Sequence, residues 1–131
     1  MNPSRHPIPL ALALMTAWLA TTACGGISRD QRRLAVAQAT LEATHDLAVT
    51  WSEDAQRDIY RRILSHGGSV GEAQAAVAAF REARMQFAIV LLDAYKALRE
   101  ASKGDAGWSS VEAAMLRVDA VFDELRARAK E

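Results

Sequence analysis

The chain has 131 residues, and its 16 Lys and Arg balance its 16 Asp and Glu. A balanced charge argues against nucleic acid as a partner, because the phosphate backbone calls for a basic protein surface. The only cysteine is Cys24, which excludes a disulfide within the chain. The fold therefore has to rest on the burial of apolar side chains.

An apolar run near the start of the chain, residues 10–24, reads LALALMTAWLATTAC and follows a short basic start at Arg5 and His6. It is too short to cross a bilayer, because a spanning helix needs about 20 apolar residues. A basic start, a brief apolar core and small residues at the end are the layout of a cleaved signal peptide. We therefore predict that residues 1–23 are removed.

The end of this run, residues 21–25, reads TTACG and resembles the lipobox of bacterial lipoproteins. In that family the cysteine thiol is diacylated, the peptide is cut just before it, and the new amino terminus is usually acylated as well. The resemblance implies a fatty-acid (palmitate-type) anchor on Cys24, with residues 24–27 forming the lipid-anchored N-terminus. Gly25 after the cysteine, rather than Asp, implies the outer membrane facing the periplasm. The alternative is ordinary secretory cleavage after Ala23, which leaves Cys24 as a free thiol.

The remainder of the chain has the composition of a helical domain. Residues 24–131 contain no proline and carry 15 Lys and Arg against 16 Asp and Glu, a net charge of −1. Ala, Leu, Arg and Glu, which are frequent here, are the residues that favour helix. We predict one all-α domain over residues 28–131.

Three segments of the form Ser-x-x-Glu/Gln mark predicted helix starts, namely 28–31, 69–72 and 109–112. In such a capping box the serine oxygen accepts the amide of the third helical residue, whose side chain returns to the serine amide. Gly67 and Gly104 follow the first two predicted helices and fit the left-handed residue that ends a helix. The predicted helices are 28–66, 69–103 and 109–130.

Apolar side chains recur every three to four residues in each predicted helix, and the loops between the helices are short. This pattern is typical of an antiparallel three-helix bundle with coiled-coil-like packing, here a long helical hairpin with a shorter third helix. Residues 87–92 are apolar on more than one face, which predicts that the second helix is central. Thr50 and Glu53 offer an alternative start inside the first helix, but without Gly or Pro there we favour a continuous helix.

The hairpin end of the bundle, roughly residues 52–82, is the predicted interaction surface. A short third helix is expected to leave this end uncovered, so that apolar side chains rimmed by arginines remain available to a partner. The alternative is that the two hairpin helices and their long side chains cover one another. The candidate residues are Arg57, Ile59, Tyr60, Arg61, Ile63, Leu64, Val77, Phe80 and Arg84.

Arg84 is a special case, because it falls on a core position of the second helix, opposite Trp51 in the predicted register. One interpretation is a buried cation that pairs with a carboxylate or stacks on Trp51. The other, which we favour, is a side chain that extends to water from the edge of the core.

A metal site is suggested only by Glu42 and His45, whose spacing places both side chains on one helical face. Carboxylate-bridged di-iron bundles need a second such pair and further Glu residues, which this sequence does not offer. We predict no metal, no catalytic residue and no cofactor other than the covalent lipid.

The sequence therefore predicts a non-enzymatic, lipid-anchored protein of the bacterial envelope. Its helical domain would act as an interaction or scaffold module that binds an unknown envelope protein or associates with itself. The alternative is a periplasmic carrier that holds a small apolar ligand among four aromatic residues of the bundle, Trp51, Phe80, Phe87 and Phe122.

Overall fold

The computed structural model describes residues 28–131. The predicted signal peptide, the lipobox and Cys24 lie outside the described residues. The described chain forms three helices, which we number α1 (Arg29–Ser65), α2 (Val70–Ser102) and α3 (Trp108–Arg128). The predicted all-α three-helix bundle is confirmed. Of these helices, none combines the length and the apolar character needed to cross a bilayer.

Capping boxes start α1 and α2 as the sequence predicts. The Gln31 amide donates to Ser28 Oγ at 3.2 Å, and the Ser28 amide donates back to Gln31 Oε1 at 3.0 Å. Ser69 and Glu72 form the same reciprocal pair at the start of α2. The two loops turn through Gly67, with φ +83°, and Gly104, with φ +80°. Residues that carry a side chain rarely adopt this left-handed backbone conformation, so the two glycines fix where the helices end.

The third predicted capping box is wrong. α3 begins one residue earlier than expected, at Trp108, with Gly107 as a cap that has no side chain to offer. The Trp108 indole Nε1 donates to Glu112 Oε1 at 2.6 Å. Because Glu112 accepts this bond, its carboxylate is engaged on the side of the helix instead of at the cap.

The prediction that α1 is continuous through Thr50 is confirmed. The Thr50 hydroxyl donates to the Asp46 carbonyl at 3.1 Å, within the same helix. Because the hydroxyl is bonded within α1, it does not cap a new helix start at Thr50. With 37 residues, α1 is about 55 Å long.

α2 is the central helix, since it packs along both α1 and α3. The core between the helices consists almost entirely of Ala, Val, Leu, Ile and Phe. α1 and α3 reach each other mainly through long side chains. The Arg33 guanidinium lies 5.6 Å from the ring centre of Trp108, and Arg62 Nη1 donates to the Ala129 carbonyl at 3.2 Å.

The expectation that the third helix leaves the hairpin end uncovered is wrong. Arg128 and Glu131 lie beside Phe80 in a small cavity between α1, α2 and the end of the chain. Ile59, Val77 and Phe80 are buried. The 21 residues of α3 span about 32 Å, and the end of the chain lies beside Ala76 and Ala79 of α2. At the hairpin end, the large apolar side chains that stay exposed are Leu64 and Val70, which lie near the loop.

Candidate functional site

An open groove of about 420 Å³ lies between α1 and α2 near the hairpin end. We call it the arginine groove. It brings together four of the predicted interaction residues, Arg57, Tyr60, Arg61 and Val77. It also contains three residues that were not predicted to belong to an interaction surface, Glu53, Gln56 and Arg81. The spacing of Gln56 and Tyr60 along α1 could be read from the sequence. Arg81 lies on α2, so placing it in the groove requires knowledge of the register between the two helices.

The arginines of this groove are held in different ways. Arg81 Nε donates to Gln56 Oε1 at 2.8 Å, which ties α2 to α1 across the groove. Arg57 Nη1 lies 3.2 Å from Asp54 Oδ1 in an exposed pair one turn apart. Arg61 is exposed on the next turn. Three guanidinium groups thus share the groove with a single lining carboxylate, Glu53, an arrangement suited to a partner that brings acidic side chains.

The other predicted interaction residues lie elsewhere. Ile59 and Phe80 belong to the core, and Ile63 is half-buried beside them. Leu64 is 39% exposed near the loop. These four side chains therefore do not form one surface with the arginine groove.

Arg84 is half-buried. In the part of the chain that the structure describes, none of the ion pairs involves it. Trp51 packs edge-on against Phe80, with ring centres 5.8 Å apart. The predicted register placed Trp51 opposite Arg84, which is one helical turn away from Phe80. The observed burial fits a cation at the edge of the core that extends to water.

Four aromatic rings meet where the three helices come together. Trp51 lies 5.8 Å from Phe122 and Phe87 lies 5.3 Å from Phe122, measured between ring centres. The three phenylalanines, Phe80 among them, are buried. At such distances the rings are in direct contact, so they occupy the space that the carrier interpretation assigned to a ligand.

A stripe of apolar side chains on α2 continues from the groove. Met85, Ile89 and Leu92 are 56%, 52% and 69% exposed, and their spacing places them on one side of the helix. Arg81, four residues before Met85, belongs to the same side. The apolar run at residues 87–92 was the sequence signal for this stripe, but it predicted contact with both other helices and not an exposed surface.

Acidic side chains lie on α1 beyond the stripe. Burial raises the pKa of Tyr95 on α2, and the Glu42 and Asp46 carboxylates raise it further. These two carboxylates therefore act on the Tyr95 hydroxyl from α1 through their charge. Glu42 and His45, the pair weighed as metal ligands, are both exposed. Within residues 28–131, no three His, Cys, Asp or Glu side chains are grouped so that they could hold a metal ion.

One further carboxylate is half-buried on α3. Burial raises the pKa of Asp119 above its usual value, and the neighbouring Asp123 raises it further. The ionised form of Asp119 is thus disfavoured in the folded bundle.

Comparison of this chain with protein-family models, with curated proteins and with solved structures gives no match.

Proposed function

We propose that this chain is a lipid-anchored protein of the bacterial cell envelope that acts without catalysis, as a helical module that binds another protein chain. The anchor rests on the apolar leader and its lipobox-like end at Cys24. The binding role rests on the helical domain. An arginine groove and an apolar stripe adjoin on one side of a bundle whose core is filled.

The observation that carries the binding role is the continuity of these two features. Arg81 lines the groove and Met85 begins the stripe one turn later. A contiguous apolar patch with a charged rim is typical of a protein contact surface. An arginine-rich end adds preference for carboxylates.

The anchor is tested by the mass of the processed N-terminus. The full chain is expressed in a two-membrane bacterium, extracted from membranes and analysed intact. We expect cleavage before Cys24 and an added mass of two or three acyl chains, with the protein in the membrane fraction. A free thiol on a protein recovered from the periplasmic extract would contradict the anchor.

The binding role is tested by photo-crosslinking in living cells. A photoreactive amino acid at Tyr60, in the groove, is expected to give a discrete crosslinked band. The matched control is the same amino acid at Leu116, which is exposed on α3. Equal bands from both positions, or none from Tyr60, would contradict the assignment of this surface.

A further inference from the structure

We infer that the arginine groove binds an acidic peptide segment, with the Arg81 guanidinium as the main carboxylate anchor and Gln56 as the residue that orients it. This inference rests on the proposed binding role and names the chemistry of the segment that enters the groove. Two observations carry it. One is a chain of hydrogen bonds that holds Arg81, and the other is an excess of guanidinium groups over carboxylates among the residues that line the groove.

Two hydrogen bonds in series hold the Arg81 side chain. Gln56 Nε2 donates to the carbonyl of Ser52, a fully buried residue, at 3.2 Å. Gln56 Oε1 accepts from Arg81 Nε at 2.8 Å. Both ends of the Gln56 amide are therefore engaged, and the guanidinium is held through Nε. Part of the entropy cost of ordering a long arginine side chain is thus met before a ligand arrives.

The terminal nitrogens of Arg81 remain available to a ligand. Within residues 28–131, neither of them has a hydrogen bond or an ion pair. A guanidinium presents its N–H donors in a planar fork that matches the two oxygens of a carboxylate. The neutral amide of Gln56 orients this group without compensating its charge. Arg81 is therefore ordered but still cationic, which favours the binding of an anion.

Two further guanidinium groups line the groove from α1. Arg57 and Arg61 are one helical turn apart, and the bond between Gln56 and Arg81 brings Arg57 level with Arg81. Arg61 has no ion pair in the part of the chain that the structure describes. Arg57 pairs only with Asp54, and the two side chains are 63% and 66% exposed. Such an exposed pair contributes little, so Arg57 can turn to a carboxylate in the groove.

The positive charge of the groove is local. Residues 24–131 as a whole carry 15 Lys and Arg against 16 Asp and Glu, so an acidic chain is not attracted to this domain in general. Glu53 is the one carboxylate among the lining residues, and it lies one turn before Arg57, on the side away from the hairpin loop. The positive part of the groove is therefore the part toward the loop. Two carboxylates roughly 6 Å apart would reach Arg81 with Arg57, and Arg61, respectively.

A peptide suits this groove better than a single small anion does. The three guanidinium groups come from two helices and are spread over a helical turn, so they offer more than one position. Val77, which is buried, and Tyr60, which is half-buried, line the same groove and make part of its surface apolar. Its volume of about 420 Å³ leaves room for the carbon atoms that connect two carboxylates.

The first test uses decaglutamate as the probe. The full chain in a nonionic detergent is titrated at low salt into fluorescein-labelled decaglutamate, and binding is followed by fluorescence anisotropy. We expect saturable binding that weakens as salt is added, and no binding of labelled decaglutamine. Arg81→Gln and Arg61→Gln should each weaken the binding of decaglutamate roughly fivefold. Arg117→Gln is the matched control and should leave it unchanged, because Arg117 is exposed on α3.

Removal of the carboxylate in the groove should have the opposite effect. Glu53→Gln takes away the negative charge that repels an acidic segment, so it should strengthen the binding of decaglutamate roughly twofold. A variant that loses the groove through misfolding would weaken the binding instead.

Gln56 is tested as a positioning residue. Gln56→Met keeps the side chain neutral and of similar length but removes both hydrogen bonds, so that Arg81 keeps its charge and loses its orientation. We expect binding of decaglutamate to weaken roughly threefold. In the Arg81→Gln background, Gln56→Met should have no further effect. A purely structural role of Gln56 would weaken binding by the same factor in both backgrounds.

Three results would overturn the inference. The first is a parent chain that does not bind decaglutamate at low salt. The second is a loss in Arg117→Gln as large as that in Arg81→Gln. The third is displacement of labelled decaglutamate by tripolyphosphate at lower concentration than by unlabelled decaglutamate, because the groove would then be a site for phosphate groups.

The inference and the proposed function fail separately. Decaglutamate binding that depends on Arg81, without a crosslinked partner at Tyr60 in cells, would remove the proposed binding role and keep the selectivity of the groove. A partner captured at Tyr60 with equal yield in the parent and in Arg81→Gln would keep the binding role and overturn the inference. A free Cys24 thiol would remove only the anchor.

Discussion

The two sides of α2 carry similar residues in different surroundings. On the inner side, Phe87 and Leu98 are buried among the side chains of α1 and α3. On the outer side, Ile89 and Leu92 are just as apolar and more than half exposed. The difference lies in the cover that the rest of the chain supplies, and not in composition. An apolar face on a central helix therefore identifies a contact, but not which molecule provides the other half.

The largest expected effect comes from opening a cavity in the core at Phe122 of α3, which packs against the inner side of α2. This ring is buried and contacts both Trp51 and Phe87, so Phe122→Ala leaves a cavity where the three helices meet. We expect a loss of about 3–5 kcal/mol in the free energy of unfolding, measured by urea denaturation. Leu116→Ala, on the exposed side of the same helix, is the control. A loss below about 1 kcal/mol for Phe122→Ala would show that the rings do not form the core.

A smaller loss of folding free energy is expected from adding volume to the core at Ser52 of α1. This residue is fully buried, and its hydroxyl donates to the Val49 carbonyl at 3.0 Å. Ser52→Leu adds volume where α1 meets the core and should cost about 1–3 kcal/mol. Thr50→Leu is matched to it, because Thr50 also bonds to its own helix but is exposed. Equal thermal midpoints for the two variants would argue against close packing at Ser52.

Asp119 on α3 is half-buried, so it lies between the core and the exposed surface. Its effect on stability should therefore depend on pH. Its pKa is raised in the folded bundle, chiefly by burial. Its ionisation therefore opposes folding at neutral pH, and the penalty is relieved as the pH falls through the raised pKa. Asp119→Asn should stabilise the bundle by up to about 0.5 kcal/mol at neutral pH.

The stabilisation from Asp119→Asn should shrink on acidification. Urea titrations of both proteins between neutral pH and pH 4 measure this difference. A stabilisation that stays constant with pH would mean that the carboxylate is not the cause.

The smallest effect on folding is expected at the outer side. Leu92→Gln and Leu116→Gln should each change the free energy of unfolding of the monomer by no more than about 0.5 kcal/mol, when unfolding is measured at high dilution. Both leucines are 69% exposed, so neither substitution removes a side chain from the core. A loss above about 1 kcal/mol for Leu92→Gln would show that the outer side of α2 is covered within the bundle.

The sequence allowed the helices to be placed closely, because local chemistry decides their ends. The box at Ser69 and the turn at Gly67 depend on residues a few positions apart, so they can be recognised without any tertiary information. The start of α3 was misplaced because Glu112 bonds to the Trp108 side chain, a competition that a capping motif does not reveal.

The site was predicted only in part, because it depends on how far one helix reaches along another. Arg57 and Tyr60 share a turn and could be grouped from their spacing. Phe80 was expected to be exposed, and it is covered because α3 and its tail reach further than the estimate from register indicated. Arg81 joins the groove through a contact 25 residues away in sequence, which periodicity within one helix does not show.

Trp51 gives the bundle an internal optical reporter. Its indole touches Phe80 of α2 and Phe122 of α3, so its emission depends on the presence of both neighbouring helices. Pairing of α1 with α2 alone would leave one side of the indole in water. With Trp18 and Trp108 replaced by Phe, so that Trp51 is the only tryptophan left, a change in emission during refolding would time the docking of α3, separately from the closure of the hairpin.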